Sequence, residues 1–171
     1  IRSVLLQASF TNFVFLGARV YKHPDSHAEI GYYPIKPTAA GRGLCRDWPS
    51  HVYQWHREGF DLPDKTVLLA EGDCFPIQAF SYNNLAYALQ FHMDVTHHTM
   101  CRWTTRGHER MTLPNAKPRE AHFADKLQHD PACRAWFSEF IDQWLKPCEA
   151  PEAAIGSHKT PQRRVSKLSR S

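Results

Sequence analysis

Residues 130–146 determine what the rest of the chain has to provide. Cys133, Trp136, Phe137, Phe140, Ile141, Trp144 and Leu145 recur at spacings of three and four, which places them on one face of an α-helix. Asp130 is suited to cap that helix, Pro131 to take its first position and Pro147 to end it. Burying each such side chain is worth about 1.5–3 kcal/mol. A stripe this broad therefore needs a large apolar partner, and it reads as core or interface rather than as a cofactor pocket.

The partner is expected to be a sheet. Extended runs occupy residues 18–22, 30–36, 52–55, 65–70, 77–82 and 86–91, interrupted by Pro34, Pro37, Gly41 and the turn-like Leu62-Pro63-Asp64. Asn83-Asn84 tolerates left-handed backbone, so the last two runs read as a β-hairpin. On its second arm Ala86, Ala88 and Gln90 share one face, Tyr87, Leu89 and Phe91 share the other, and His92 stands where the arm ends. Residues 4–16 are apolar almost throughout up to Gly17, which fits either a buried helix or a buried strand. Thr96 is a candidate N-cap for a short helix through Trp103, and residues 119–128 form another helical candidate. Strands first, a hairpin next and helices last indicate an α/β fold with a sheet covered by helices.

A chain of 171 residues with 42% hydrophobic content can bury one sizeable core. No run approaches the roughly 18 apolar residues of a membrane span, so no membrane partner is expected. The net charge of +4 resides entirely in residues 151–171, where Lys159, Arg163, Arg164, Lys167 and Arg170 face only Glu152. A neutral body is not the footprint of a nucleic-acid-binding domain. The expected organisation is one domain over residues 1–146 and a basic, disordered tail over 147–171. Five cysteines, Cys45, Cys74, Cys101, Cys133 and Cys148, with no CxxC, indicate neither a disulfide framework nor a zinc knuckle, and a reducing cytoplasm fits best.

Among the eleven histidines, His92, Asp94, His97 and His98 lie close in sequence. They do not form a His-Glu-x-x-His motif, and there is no phosphate-binding glycine loop. No metal and no cofactor are expected. His92 and Asp94 read instead as a base and its orienter: a histidine at the end of an apolar strand, with a carboxylate two residues on to hold its tautomer and stabilise the imidazolium. Such a pair serves a Cys or Ser nucleophile.

The segment Tyr87-Ala-Leu-Gln-Phe-His-Met-Asp-Val-Thr96 resembles the catalytic-histidine segment of class I glutamine amidotransferases, which usually reads Gln-Phe-His-Pro-Glu. Gly17-Ala-Arg-Val-Tyr21 with Glu29-Ile-Gly31, Gln54-Trp-His-Arg-Glu-Gly-Phe-Asp-Leu-Pro63 and Gln78-Ala-Phe80 resemble the GMP-synthase-like branch, and so does the helix from Trp136 to Leu145. The likeness covers about residues 16–146. It implies an incomplete class I glutamine amidotransferase-like, flavodoxin-like sandwich: a mixed sheet with a β-hairpin and C-terminal helices. It also implies glutamine as substrate, hydrolysed to glutamate and ammonia by a Cys-His-Glu triad, with His92 as base and Asp94 in place of Glu.

Two departures qualify that expectation. Asp94 is one methylene shorter than Glu, a difference in reach of about 1.5 Å, and misplacement on that scale costs about a hundredfold in rate. The Gly-x-Cys-x-Gly nucleophile motif is expected about ten residues before Leu16-Gly17, where the chain reads Val4-Leu-Leu-Gln-Ala-Ser-Phe10. Leu6 falls near the cysteine position without flanking glycines, and Ser9 lacks the glycine frame. The family's upstream strands are also missing, so the chain reads as truncated. Its incomplete sheet edge is then open to a partner protein or to self-association. The alternative function is a non-catalytic interaction subunit or fragment that retains the fold. A third reading is a thiol hydrolase built on Cys74. The ammonia acceptor is not encoded, and His56 reads as a structural or cleft histidine.

Overall fold

The computed structural model describes the backbone of residues 3–6 and all of residues 17–146. The tail over 147–171, Ser9 and most of the apolar run lie outside the described residues. Eight strands and three α-helices are described: β1 (Ser3–Leu6), β2 (Val20–Lys22), β3 (Glu29–Pro37), α1 (Ala39–Leu44), β4 (His51–His56), β5 (Glu58–Phe60), β6 (Thr66–Gly72), β7 (Ala79–Tyr82), β8 (Ala86–Leu89), α2 (His97–Arg106) and α3 (Arg119–Leu145). A 3₁₀ turn, His108–Thr112, separates α2 from α3.

Six strands form one sheet in the order β1-β8-β7-β6-β3-β4, and β2 pairs with β5 in a second, two-stranded sheet. Strand β1 runs parallel to β8, with Leu6 opposite Leu89, whereas the other pairs are antiparallel. The expected mixed sheet, hairpin and C-terminal helices are all present. The start of the apolar run, Ser3–Leu6, is strand rather than helix.

Turn chemistry explains the hairpin. Asn83 and Asn84 both have left-handed backbone, φ 51° and 53°, the signature of a I′ turn whose twist matches its flanking strands. The two faces of β8 divide as their alternation predicts. Tyr87, Leu89 and Phe91 enter the large core beneath α3, while Ala88 joins Phe80, Phe60 and Ala18 on the other side.

Pro34 lies within β3 instead of ending it. It pairs with His51 at the last position facing β4, and from Ile35 onward the strand pairs with β6. A residue without an N–H is tolerated where the strand changes partner. Residues 115–117 shield this part of β3: Lys117 N donates to Ile30 O at 2.9 Å, and the Tyr33 hydroxyl donates to Asn115 O.

Residues 119–128 and the aromatic stripe belong to a single helix, α3, with Pro131 inside it. The expected break, with Asp130 as cap, is not observed. Asp130 instead accepts from Lys126 Nζ at 2.7 Å and from Arg134 Nε at 2.6 Å, one turn before and one turn after. These ion pairs splice the helix across the position where proline removes one backbone bond. The carbonyl that loses its partner belongs to Leu127, which is 85% exposed, so water can satisfy it. Trp136 and Phe140 are fully buried on α3, and Trp136 packs against Trp48, Phe91 and Phe140. Among the described residues, no helix is long and apolar enough to cross a membrane.

Candidate functional site

The parallel β1–β8 pair places the carboxyl ends of both strands at the same end of the sheet. Crevices beyond the carboxyl ends of parallel strands are where α/β sheets place ligands. His92 follows the end of β8 there. Its backbone N–H donates to Tyr53 O at 2.8 Å, which clamps it to β4. Its ring meets the Trp103 indole edge-on, with centroids 4.8 Å apart. The side chain is buried, and Nδ1 lies 3.5 Å from Asp94 Oδ1.

The segment carrying both residues is fixed along its length. Val95 is buried and its carbonyl accepts from Lys126 Nζ at 3.1 Å. Thr96 caps α2 as expected, its hydroxyl accepting from Thr99 N at 3.1 Å. His97 and His98 are exposed on the first turn of that helix. The structure thus brings His92 and Asp94 together, at a separation long for a hydrogen bond.

Contact with His92 holds the Asp94 carboxyl below its ordinary value of 3.8, against an opposing effect of burial. A depressed carboxylate contributes stability that is present above 3.8 and lost as pH falls through the lowered value. Asp94 is 57% exposed, so solvent screening limits this to a few tenths of a kcal/mol. Replacing Asp94 with asparagine is expected to cost that amount at neutral pH. The gap from the parent should close below pH 3.8 in chemical denaturation. A gap that widens toward acid would contradict the pairing.

A second polar cluster is buried between β3 and β4 and includes His56, read from the sequence as a structural or cleft histidine. Glu29 on β3 and His56 on β4 are 2% and 7% exposed. His56 Nε2 is 3.2 Å from Glu29 Oε2, within ion-pair distance although not aligned as a hydrogen bond. Gln78 Nε2 donates to Glu29 Oε2 at 3.0 Å, and Gln54 Nε2 donates to Gln78 Oε1 at 2.5 Å. His56 Nδ1 lies 3.1 Å from the Glu58 carbonyl, to which Gln90 also donates at 3.1 Å. The cluster ties β3, β4, β5 and the entry to β7 together. The only signal in the sequence is polar side chains at positions flanked by apolar strand residues.

His56 also borders an open cavity of about 220 Å³, lined in part by Trp55, Arg57, Glu58 and Arg110. The cavity combines a buried imidazole with two guanidinium groups.

Cys74 lies on the β6–β7 connection, partly buried, with Sγ 3.8 Å from His27 Nδ1. Burial, with help from Glu29 and Asp25, pushes its thiol up to about 11. A nucleophilic cysteine needs the opposite environment. Cys45 and Cys133 are buried thiols pushed up to about 12 by burial, and they pack as small hydrophobes.

A glutamine amidotransferase from Thermotoga maritima superposes with a TM-score of 0.71 at 22% identity, over 84% of this chain and 62% of that one. A glutamine amido transferase from Methylobacillus flagellatus superposes with a TM-score of 0.66 at 20% identity, over 76% of this chain and 56% of that one. The chain spans about three fifths of the length of these structures. No family model and no curated protein matches the sequence. In its described residues, the chain has the fold of class I glutamine amidotransferases.

Proposed function

We propose that this chain is a glutamine amidotransferase-like domain, with His92 as general base and Asp94 as its positioning partner, and that its own glutamine hydrolysis is impaired. The observation that carries the reading is the buried His92 imidazole, 3.5 Å from the Asp94 carboxylate, just beyond a strand parallel to β1. In such a site a cysteine following β1 would lose its proton to His92 and attack the carboxamide. That attack forms a thioester and releases ammonia. Backbone N–H groups beside the nucleophile would hold the oxyanion.

Val4-Leu-Leu-Gln-Ala8 supplies neither the thiol nor the glycines of the elbow. The long His92–Asp94 separation agrees with the shorter side chain of Asp94. The same missing thiol and glycines favour the alternative, a non-catalytic interaction subunit or fragment that retains the fold.

Ammonia release from glutamine by the purified chain tests this reading, with His92→Ala in parallel and folding followed by circular dichroism. The expected result is release at background level from both proteins. Turnover by the parent that His92→Ala abolishes would show a working nucleophile and overturn the impairment.

A further inference from the structure

We propose that His23, His27 and Cys74 form a binding site for a divalent transition metal of the zinc class, separate from the His92 edge. Each residue offers one ligand atom, and the three atoms lie within 4.8 Å of one another. Tetrahedral zinc bound at about 2.0 Å to nitrogen and about 2.3 Å to sulfur requires a nitrogen–sulfur separation of about 3.6 Å. His27 Nδ1 and Cys74 Sγ are already 3.8 Å apart, and the widest separation, at most 4.8 Å, needs to close by no more than about 1.5 Å.

The two histidines are held by a tight turn. Ser26 N donates to His23 O at 2.9 Å, and Ser26 adopts left-handed backbone at φ 58°. This stacks the imidazoles with centroids 4.6 Å apart and planes 13° from parallel. Ala28 N donates to Pro114 O at 2.9 Å and anchors the turn to the body. Buried Phe75, next to Cys74, packs its ring edge-on to His23 at 5.6 Å. The Asp25 carboxylate lies 3.9 Å from His23 Nδ1; if His23 binds the metal through Nε2, its proton sits on Nδ1 and this carboxylate is placed to accept it. His23 Nδ1 accepts from Asp25 N at 3.2 Å, so coordination through that atom would exchange this bond for the metal.

Two imidazoles and one thiolate are borderline-to-soft donors. They select zinc-like ions over magnesium or calcium, which take oxygen ligands. Three protein ligands leave a fourth position open to water or an exogenous ligand. A bound ion would staple the β2–β3 turn to the β6–β7 connection.

The test is titration of the reduced, tag-free chain with cobalt(II), followed by displacement with zinc(II). One equivalent of cobalt should produce a sulfur-to-metal charge-transfer band. That band should be absent in Cys74→Ser and unchanged in Cys101→Ser and Cys148→Ser. Zinc affinity, measured against a chromophoric chelator, should fall at least about tenfold in His27→Ala and in His23→Gln. Zinc should raise the parent Tm by several degrees and leave that of Cys74→Ser unmoved. Absence of the band at one equivalent would overturn the site, as would its persistence in Cys74→Ser. Unchanged zinc affinity in both histidine variants would also overturn it.

Discussion

Replacing Trp136 with alanine is expected to lower stability by about 3–5 kcal/mol. The indole is 1% exposed. It lies between Trp48 at 4.6 Å, Phe140 at 5.2 Å and Phe91 at 5.9 Å, so its removal opens a cavity where α3 meets the sheet. Aromatic neighbours on three sides cannot all collapse into that space, which puts the cost at the high end for a core truncation. In a chain of this length the loss corresponds to a fall in Tm of about 6–20 °C. Trp136→Phe separates packing from polarity. The indole N–H has no hydrogen-bond partner among the described residues, so phenylalanine removes an unsatisfied donor while keeping most of the ring contacts. Its expected cost is below about 1.5 kcal/mol. Thermal and urea denaturation of the two variants measure both values. Equal losses would show that the N–H, not the packing, matters.

The second large effect is expected at Glu29. Its carboxylate accepts from Gln78 and faces His56 at 3.2 Å in a buried setting. Glu29→Ala removes the carboxylate 3.2 Å from His56 Nε2 and strands one hydrogen of the Gln78 amide, and removing one member of such a buried polar set costs about 3–5 kcal/mol. Glu29→Gln retains a carbonyl acceptor of the same reach and should recover at least about 1 kcal/mol of that loss. Urea denaturation at neutral pH distinguishes the two. If Glu29→Ala and Glu29→Gln prove equally destabilising, the carboxylate's hydrogen bond to Gln78 is not what holds β3 to β7.

What could be read from the sequence follows the range of the interaction that sets each feature. The hairpin at Asn83-Asn84, the Thr96 cap and the division of β8 into two faces depend on neighbouring residues, and each is found as expected. The proximity of His92 and Asp94 is equally local. The sequence carries no clear signal for helix α1, because Gly41 and Gly43 are poor helix formers. Its stability comes from outside the helix: Thr38 caps its first turn, and Trp48 Nε1 donates to Gly41 O at 2.9 Å. The continuity of α3 through Pro131 rests on side chains that pair only once the helix exists. The Glu29–His56–Gln78–Gln54 cluster joins different strands, and Cys74 meets His27 across 47 residues of chain. Local pattern shows polar residues among apolar strand positions but not which of them meet.

We propose that His92 acts as a base toward the end of β1, the strand parallel to β8, and the sequence from Val4 to Gly17 contains no cysteine for it to activate. Introducing one tests this directly. Leu6→Cys, made together with Val4→Gly and Ala8→Gly, places a thiol at the end of the strand that pairs with β8. Its alkylation by iodoacetamide can be followed by peptide mass spectrometry in the presence and absence of His92→Ala. Alkylation near neutral pH is expected to slow about tenfold when His92 is replaced, because a nearby imidazole raises the thiolate fraction. Equal alkylation rates with and without His92 would contradict it.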